Sequence, residues 1–447
     1  MSDTIKASRG LVIAAPASGS GKTVVTLGLI RHLASSGRDV ASSKAGPDYI
    51  DSAFHAAAGG RQCLNLDPWA MRADTLARTA AALSAEVVIC EGVMGLFDGA
   101  FVKAGETGGD GSTADLSRRT GWPVVLVIDA RAQAASAAAV LKGFAEYHTD
   151  VSVAGVIFNR VGGERHADIL RRACAQSVPD IPVLGCLPRT EGLDLPERHL
   201  GLVQAAEHPD LETFLATAAG LVAEHLDVDG LLDLAQPLKL DGGNGTSAPL
   251  LPLGGRIAVA TDESFAFTYA SVIDGWRGAG SEIVPFSPLA DEAPDAAADA
   301  VYLPGGYPEL HAGRLAAAEN FLGGLRARAD AGAAVFGECG GYMVLGQGLT
   351  DADGVRHEMA GLLGLETSFA ERRLHLGYRR LKTFTDSPVG EAGVTFRGHE
   401  FHYSATTAEG GGASLFQAAD AEGNDLGKVG LVIGRVAGSF IHLIDRE

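Results

Sequence analysis

Two short glycine-rich segments carry the chemistry in this 447-residue chain. At 19–23 the run GSGKT follows apolar LVIAA and opens the helical stretch TVVTLGLIRHLASSG. Glycines let backbone N–H groups turn inward around phosphate oxygens, and the positive end of the following helix adds attraction. Gly19, Ser20 and Gly21 would form that cradle, Lys22 would bridge terminal phosphates, and Thr23 would ligate the Mg²⁺ of a bound ATP. Pro16 stands where the motif usually has its first glycine, so the spelling departs from the strict Walker A form. At 337–341 the run GECGG sets Cys339 between apolar AAVF and helical YMVLGQGL, the small-neighbour setting that a sharp nucleophile elbow requires. Such a thiolate attacks the side-chain amide carbon of glutamine. The backbone N–H groups of Gly340 and of Gly306, in PGGYPE, would take the oxyanion, and His442 in GSFIHL is the candidate base.

The pairing says more than either motif. A phosphate site can activate a carboxylate and a cysteine elbow can release ammonia, so the two together point to conversion of acids into amides. Acidic residues near the first motif fit this. Asp48 in KAGPDYID, and Glu91 at the end of the apolar run VVIC, are sensible magnesium ligands, because that ion takes a few carboxylates beside water and phosphate oxygens. Asp98, past a glycine in EGVMGLFDG, would face substrate rather than metal. Asn159 in FNRV would offer its amide to the nucleotide base. Taken singly, each acid reads better as a solvated loop carboxylate, and Asn159 reads almost as well as a turn former; the company of the acids raises them. A third cluster, RGHEFHYS at 397–404, alternates as a strand: His399, Phe401 and Tyr403 on one face, Glu400 and His402 on the other. Its HExH spacing is not the zinc motif HExxH, and a substrate or interdomain contact competes evenly with a structural role.

Positioning these residues needs two sheets. Apolar runs of strand length at 11–16, 87–90, 124–129, 153–158 and 183–188 alternate with Ala/Leu-rich helical stretches, as expected of a parallel sheet covered on both faces. The segment 236–253 is rich in Gly and Pro and lacks helical periodicity, which marks a linker. Afterwards the rhythm restarts at 256–262, 300–306, 333–341 and 438–443. The expected organisation is therefore α/β with two doubly wound domains, 1–235 for phosphate chemistry and 254–447 for the cysteine.

Composition excludes several classes. With 36 Lys+Arg against 55 Asp+Glu the formal charge is −19, which argues against nucleic-acid or anionic-membrane binding. The five cysteines form no CxxC pair, so neither a zinc site nor a disulfide framework is indicated. No membrane-spanning apolar run or cleavable leader is seen, and a cytoplasmic protein is expected.

The segments APASGSGKT, KAGPDYID, EGVMGLFDG, ATDESFAFTY, LPGGYPE, GECGGYM, RGHEFHYS and GSFIHL closely resemble, over almost the whole chain, the cobyrinic acid or hydrogenobyrinic acid a,c-diamide synthases of corrinoid biosynthesis. The resemblance implies a dethiobiotin-synthetase-like P-loop NTPase domain fused to a class I glutamine amidotransferase domain. It implies ATP and Mg²⁺, L-glutamine as nitrogen donor, and acyl phosphates at the a and c carboxylates of the macrocycle, with ammonia passing between the domains. It adds Lys44 to the nucleotide site and Tyr49, with Asp98, to the substrate side; a homodimer is a further implication. Both metal-free and cobalt macrocycles stay open, and the Ala- and Gly-rich composition, which suits a GC-rich aerobic bacterium, leans to the metal-free acid. Cobyric acid synthase, a nickel-sirohydrochlorin a,c-diamide synthase, or a regulatory P-loop ATPase with an amidotransferase-like module are the rivals. One departure stands out: class I amidotransferases commonly place Glu two residues after the histidine, and here that residue is Ile444. Asp445 would point to the other side of the strand, leaving Cys339 and His442 as a dyad.

Overall fold

A computed structural model of the chain describes residues 8–100, 109–193, 197–198, 201–240 and 247–447. It divides into two compact units, the first within residues 1–243 and the second comprising 244–447 together with Ala70–Thr75. The expected linker spans 236–253; of it, 241–246 lie outside the described residues, while Gln236–Pro237 pair with the first strand of the first unit.

The first unit is built on seven strands: β1 (Arg9–Ala14), β2 (Val40–Ala45), β3 (Leu64–Leu66), β4 (Val87–Glu91), β5 (Val124–Asp129), β6 (Val153–Val161) and β7 (Val183–Pro188). Their order is β3-β2-β4-β1-β5-β6-β7, and each neighbouring pair runs parallel. Continuous apolar runs suit strands covered on both sides: Leu11, Val12 and Ile13 are fully buried, each worth about 2 kcal/mol of apolar burial. Helix α1 (Lys22–Ser35) leaves the end of β1, and α2 (Ile50–Gly59) follows β2. The register sets Ile13 opposite Glu91 and Glu91 opposite Lys44. Lys44, Glu91 and the loop after β1 thus emerge at the carboxyl edge of the sheet, where open α/β sheets bind ligands.

In the second unit the parallel strands Glu282–Phe286, Arg256–Ala260, Ala300–Leu303, Ala334–Glu338 and Val436–Ser439 lie side by side. An antiparallel array continues the same ten-stranded sheet through Asp425–Ile433, Ala413–Asp420, His375–Thr383 and Thr395–His402 to Ile441–Arg446. The α/β class holds in both units, and the second adds this antiparallel extension to its parallel core. The apolar run at 438–443 is two strands broken at Phe440, which is how one short segment pairs first beside the cysteine strand and then beside Thr395–His402. Among the described residues no helix is long and apolar enough to cross a membrane.

Candidate active sites

In the first unit Gly19 and Gly21 take left-handed φ values of 79° and 85°. Helix α1 begins at Lys22 with no side chain capping it and no acid in its first turn, so its N–H groups and its dipole are available to an anion. Glu91, fully buried, gathers the donors. Its Oε1 accepts from Thr23 Oγ1 at 2.7 Å, Lys44 Nζ at 3.0 Å and Lys22 Nζ at 3.3 Å. Its Oε2 lies 2.7 Å from His55 Nε2, whose ring Nδ1 is 3.6 Å from Cys63 Sγ. Lys44 also bonds Asp51, and Asp48 Oδ1 accepts from the N–H groups of Ile50 and Asp51 at the start of α2.

Charges decide the protonation states here. Burial alone would raise the Glu91 carboxyl, but Lys44, Lys22 and the His55 bond outweigh it and hold Glu91 well below the ordinary range. Lys44 is pulled down by burial and, more strongly, up by Asp51 and Glu91, so it stays an ammonium. For Lys22 burial and the neighbouring Lys44 prevail and lower it. Burial and Asp48 push Asp51 to about 6 against the pull of Lys44. Burial opposes protonation of His55, yet Cys63 and Glu91 raise it to about 10. Thr23 Oγ1 and Glu91 Oε1 lie 2.7 Å apart beside the start of α1, and the Asp48 carboxylate acts on Lys44 and Asp51. Space for phosphate is present too, since a Cβ on Gly19 would meet nothing within 4 Å.

Two residues expected at ligand also make contacts within the chain. The Asn159 amide donates to the Ser20 carbonyl at 3.0 Å and its Oδ1 accepts from Arg160 N at 2.9 Å, so Asn159 braces the phosphate loop from β6. Asp98 Oδ2 accepts from Gly95 N at 2.9 Å and closes its own turn. Tyr49 is half-buried at the N-terminal boundary of α2.

In the second unit Cys339 sits at the turn from strand Ala334–Glu338 to helix Gly340–Leu345 with φ 47° and ψ −104°, a strained backbone of the kind found at nucleophile elbows. Close packing of strand and helix demands glycine: a Cβ on Gly341 would lie 1.9 Å from the Leu303 carbonyl oxygen. Gly306 is equally constrained, its Cβ position being 2.0 Å from the Ser264 carbonyl oxygen, and its N lies 3.0 Å from the Cβ position of Gly340. Gly340 follows Cys339 in the chain, and Gly306 lines the same small pocket as Cys339. Burial pushes the Cys339 thiol far up, the Glu309 charge adds to this, and the Gly340 N–H opposes it. His442 is fully buried and lowered to about 3 by burial and by His399 and His402, so it rests neutral. Phe401, His402 and Tyr403 line the small pocket that holds Cys339, with Gly306, Glu309 and Phe369.

The RGHEFHYS segment is the strand Thr395–His402, with His399 paired opposite His442. His399, Phe401 and Tyr403 form a ring series, and Glu400 bonds His402 at 3.1 Å. His375, Glu400 and His402 lie close enough to hold an ion, but the other ring nitrogen of His402 meets Ser404 Oγ and Arg379 Nε bonds Glu400 at 2.7 Å, which gives the cluster its own countercharge. Asp445 is held by Arg72, through Arg72 N at 2.8 Å and Nε at 2.9 Å. That pairing fits its expected direction away from the histidine.

Residues 11–203 match the CobQ/CobB/MinD/ParA nucleotide binding domain, and residues 256–447 the CobB/CobQ-like glutamine amidotransferase domain. Over 441 residues the chain is 53% identical to the hydrogenobyrinate a,c-diamide synthase of Brucella anthropi, covering 98% of each. It is 54% identical over 442 residues to the enzyme of that name from Rhizobium meliloti, covering 98% of this chain and 99% of that one. The chain belongs to the hydrogenobyrinate a,c-diamide synthase family. As a member of that synthase family it joins a nucleotide-binding domain to a glutamine amidotransferase domain. Sequence reasoning missed two parts of the diamide synthase sites. Asp51 and His55 stand four residues apart on α2, a spacing that puts both on one helix face and was readable beside KAGPDYID. Glu338, next to the nucleophile, is almost fully buried, and its Oε2 is 3.9 Å from His442 Nδ1.

Proposed function

We propose that this protein converts the a and c carboxylates of hydrogenobyrinic acid, or of its cobalt counterpart cobyrinic acid, into amides, using MgATP and glutamine. The observation that carries the reading is the presence in one chain of a Lys22–Thr23–Glu91 cluster at an open phosphate loop and of a strained cysteine elbow. Hydrogenobyrinic acid is preferred to cobyrinic acid because the relatives carry its name.

At the first site Gly19, Ser20, Gly21 and the start of α1 hold the phosphates, with Lys22 neutralising the charge that develops at the transferred group. Thr23, Asp48 and Glu91 would hold a magnesium ion, which would supply positive charge to the phosphates. Lys44 keeps Glu91 and Asp51 ionised from within. Asp98 and Tyr49 border the acceptor. The substrate carboxylate takes the γ-phosphoryl group, and ammonia displaces phosphate from the resulting acyl phosphate. At the second site Cys339 gives its proton to His442 and attacks the glutamine amide carbon. Gly306 and Gly340 N–H groups hold the oxyanion, ammonia leaves with the proton returned by His442, and water releases glutamate.

The test is turnover of the purified protein with MgATP and glutamine, metal-free hydrogenobyrinic acid against cobyrinic acid, read by product mass. Two amide additions per macrocycle are expected, faster on the metal-free acid. No amidation of either, in protein that hydrolyses ATP and glutamine, refutes the assignment. The rival regulatory ATPase would show no glutaminase activity dependent on Cys339.

A further inference from the structure

Glu338 ends the strand that presents the nucleophile, and nothing in the reaction outlined above uses it. Its carboxyl bridges two parts of the site. Oε1 accepts from the backbone N–H of Leu443, the residue next to the base, at 3.0 Å, and Oε2 accepts from Tyr302 Oη at 2.8 Å. Oε2 also lies 3.9 Å from His442 Nδ1, with both side chains at most 2% exposed. Neither hydrogen-bond donor is a cation, so the carboxyl is held in a position where ionisation is costly, and burial pushes it up to about 8. An apolar residue would pack there with less penalty, which points to a task other than stability. The position conventionally filled by an acid is Ile444, and Asp445 belongs to Arg72.

We propose that Glu338, the residue before the nucleophile, is the positioning acid of His442. Its Oε2 stands 3.9 Å from Nδ1, a long approach that tightens into a hydrogen bond once the imidazole takes a proton, and it favours the tautomer that keeps the proton on Nδ1 and leaves Nε2 as the accepting nitrogen. As Cys339 Sγ bonds to the amide carbon, its proton passes to Nε2, and the Glu338 carboxyl oxygen facing Nδ1 stabilises the imidazolium. The same proton leaves on the amide nitrogen when the C–N bond breaks. Glu338 itself transfers no proton. The other groups facing this pair are Tyr302 on the neighbouring parallel strand and His399, Glu400 and His402 on Thr395–His402. This assignment rests on the Cys339–His442 glutaminase reading and adds the missing third member to it.

The experiment compares wild type with Glu338→Gln in glutaminase kinetics and in the pH profile of Cys339 alkylation by iodoacetamide. Expected is a fall in kcat of about 10²-fold with KM moved less than about threefold, because the lost interaction belongs to the transition state. The alkylation profile should move to higher pH, by about one unit, since the imidazolium partner of the thiolate loses its support. Unchanged kcat and an unchanged profile overturn the proposal. A purely structural carboxyl would lower the melting temperature and leave the profile in place, and that result also overturns it. Should Glu338→Gln fail to fold, ¹⁵N-histidine spectra of the wild type decide: the Nδ1–H tautomer is expected for His442, assigned by its loss in His442→Asn, and the Nε2–H tautomer refutes the role. Cys339→Ala with full glutaminase activity would instead bring down the underlying reading.

Discussion

Glu91 and Glu338 both end buried parallel strands, both are hidden from solvent, and they titrate in opposite directions. Glu91 is surrounded by Lys44, Lys22 and His55 and is held well below the usual carboxylate range. Glu338 accepts from the neutral Leu443 amide and Tyr302 hydroxyl and is pushed up to about 8. The contrast follows the chemistry of each site. A nucleotide-binding site needs permanent charges, arranged before the ligand arrives, and it lowers their cost by pairing them. A cysteine site that moves one proton between thiol and imidazole works with neutral resting groups: Cys339 is raised by burial and His442 is lowered to about 3. One chain thus carries a charged machine and a dry one.

The largest effect that would break this comparison is at Glu91. Glu91→Gln leaves Lys44 and His55 charged without their shared acceptor, and chemical denaturation should show a loss of roughly 3–5 kcal/mol from the first unit. A loss below that range would mean that the cluster is not held by its charges. Next comes Gly306→Ala, whose Cβ would collide with the Ser264 carbonyl and displace an oxyanion donor. Glutaminase kcat should fall by about 10²-fold, near 2.7 kcal/mol, with the fold intact by circular dichroism. A third effect, smaller over any single pH unit, separates the two acids by pH. Because folding raises Glu338 from 4.5 to about 8, its protonated form is favoured in the folded state, so its contribution to stability is full below pH 4.5 and lost as pH rises towards 8. Glu91, which folding lowers, contributes above pH 4.5 and loses its contribution as pH falls. Relative to Glu338→Gln, wild type should lose about 1.4 kcal/mol of stability per pH unit across the first window; a slope of the opposite sign contradicts the assignment. Smallest is Asn159→Ala, which frees the Ser20 carbonyl from its brace and should cost about 1 kcal/mol while raising the KM for ATP.

Much of this was legible in the residues. Strands β1, β4, β5, β6 and β7 announce themselves as apolar runs, and GSGKT, GECGG and PGGYPE identify the loops by glycines that close backbone approach requires. Strand β2 was hidden because its sequence VASSKA carries Ser42, Ser43 and Lys44, polar residues that the interior satisfies only after neighbours are in place. That strand nonetheless delivers Lys44 to the register opposite Glu91. Asn159 and Asp98 show the converse: both amide and carboxylate were recognisable as polar groups at strand ends, but whether such groups meet ligand or their own loop depends on turns that periodicity does not encode. Glu338 was masked by its motif, since the cysteine beside it drew the reading and the adjoining acid resembled an ordinary strand end.

The division of labour between the charged and the dry site is tested most directly by one substitution. Cys339→Ala is assayed for macrocycle amidation with MgATP and either glutamine or an ammonium salt. Amidation should vanish with glutamine, by about 10³-fold or more, and persist with ammonium. Loss with both nitrogen sources in a well-folded variant, or retention with glutamine, would contradict the account.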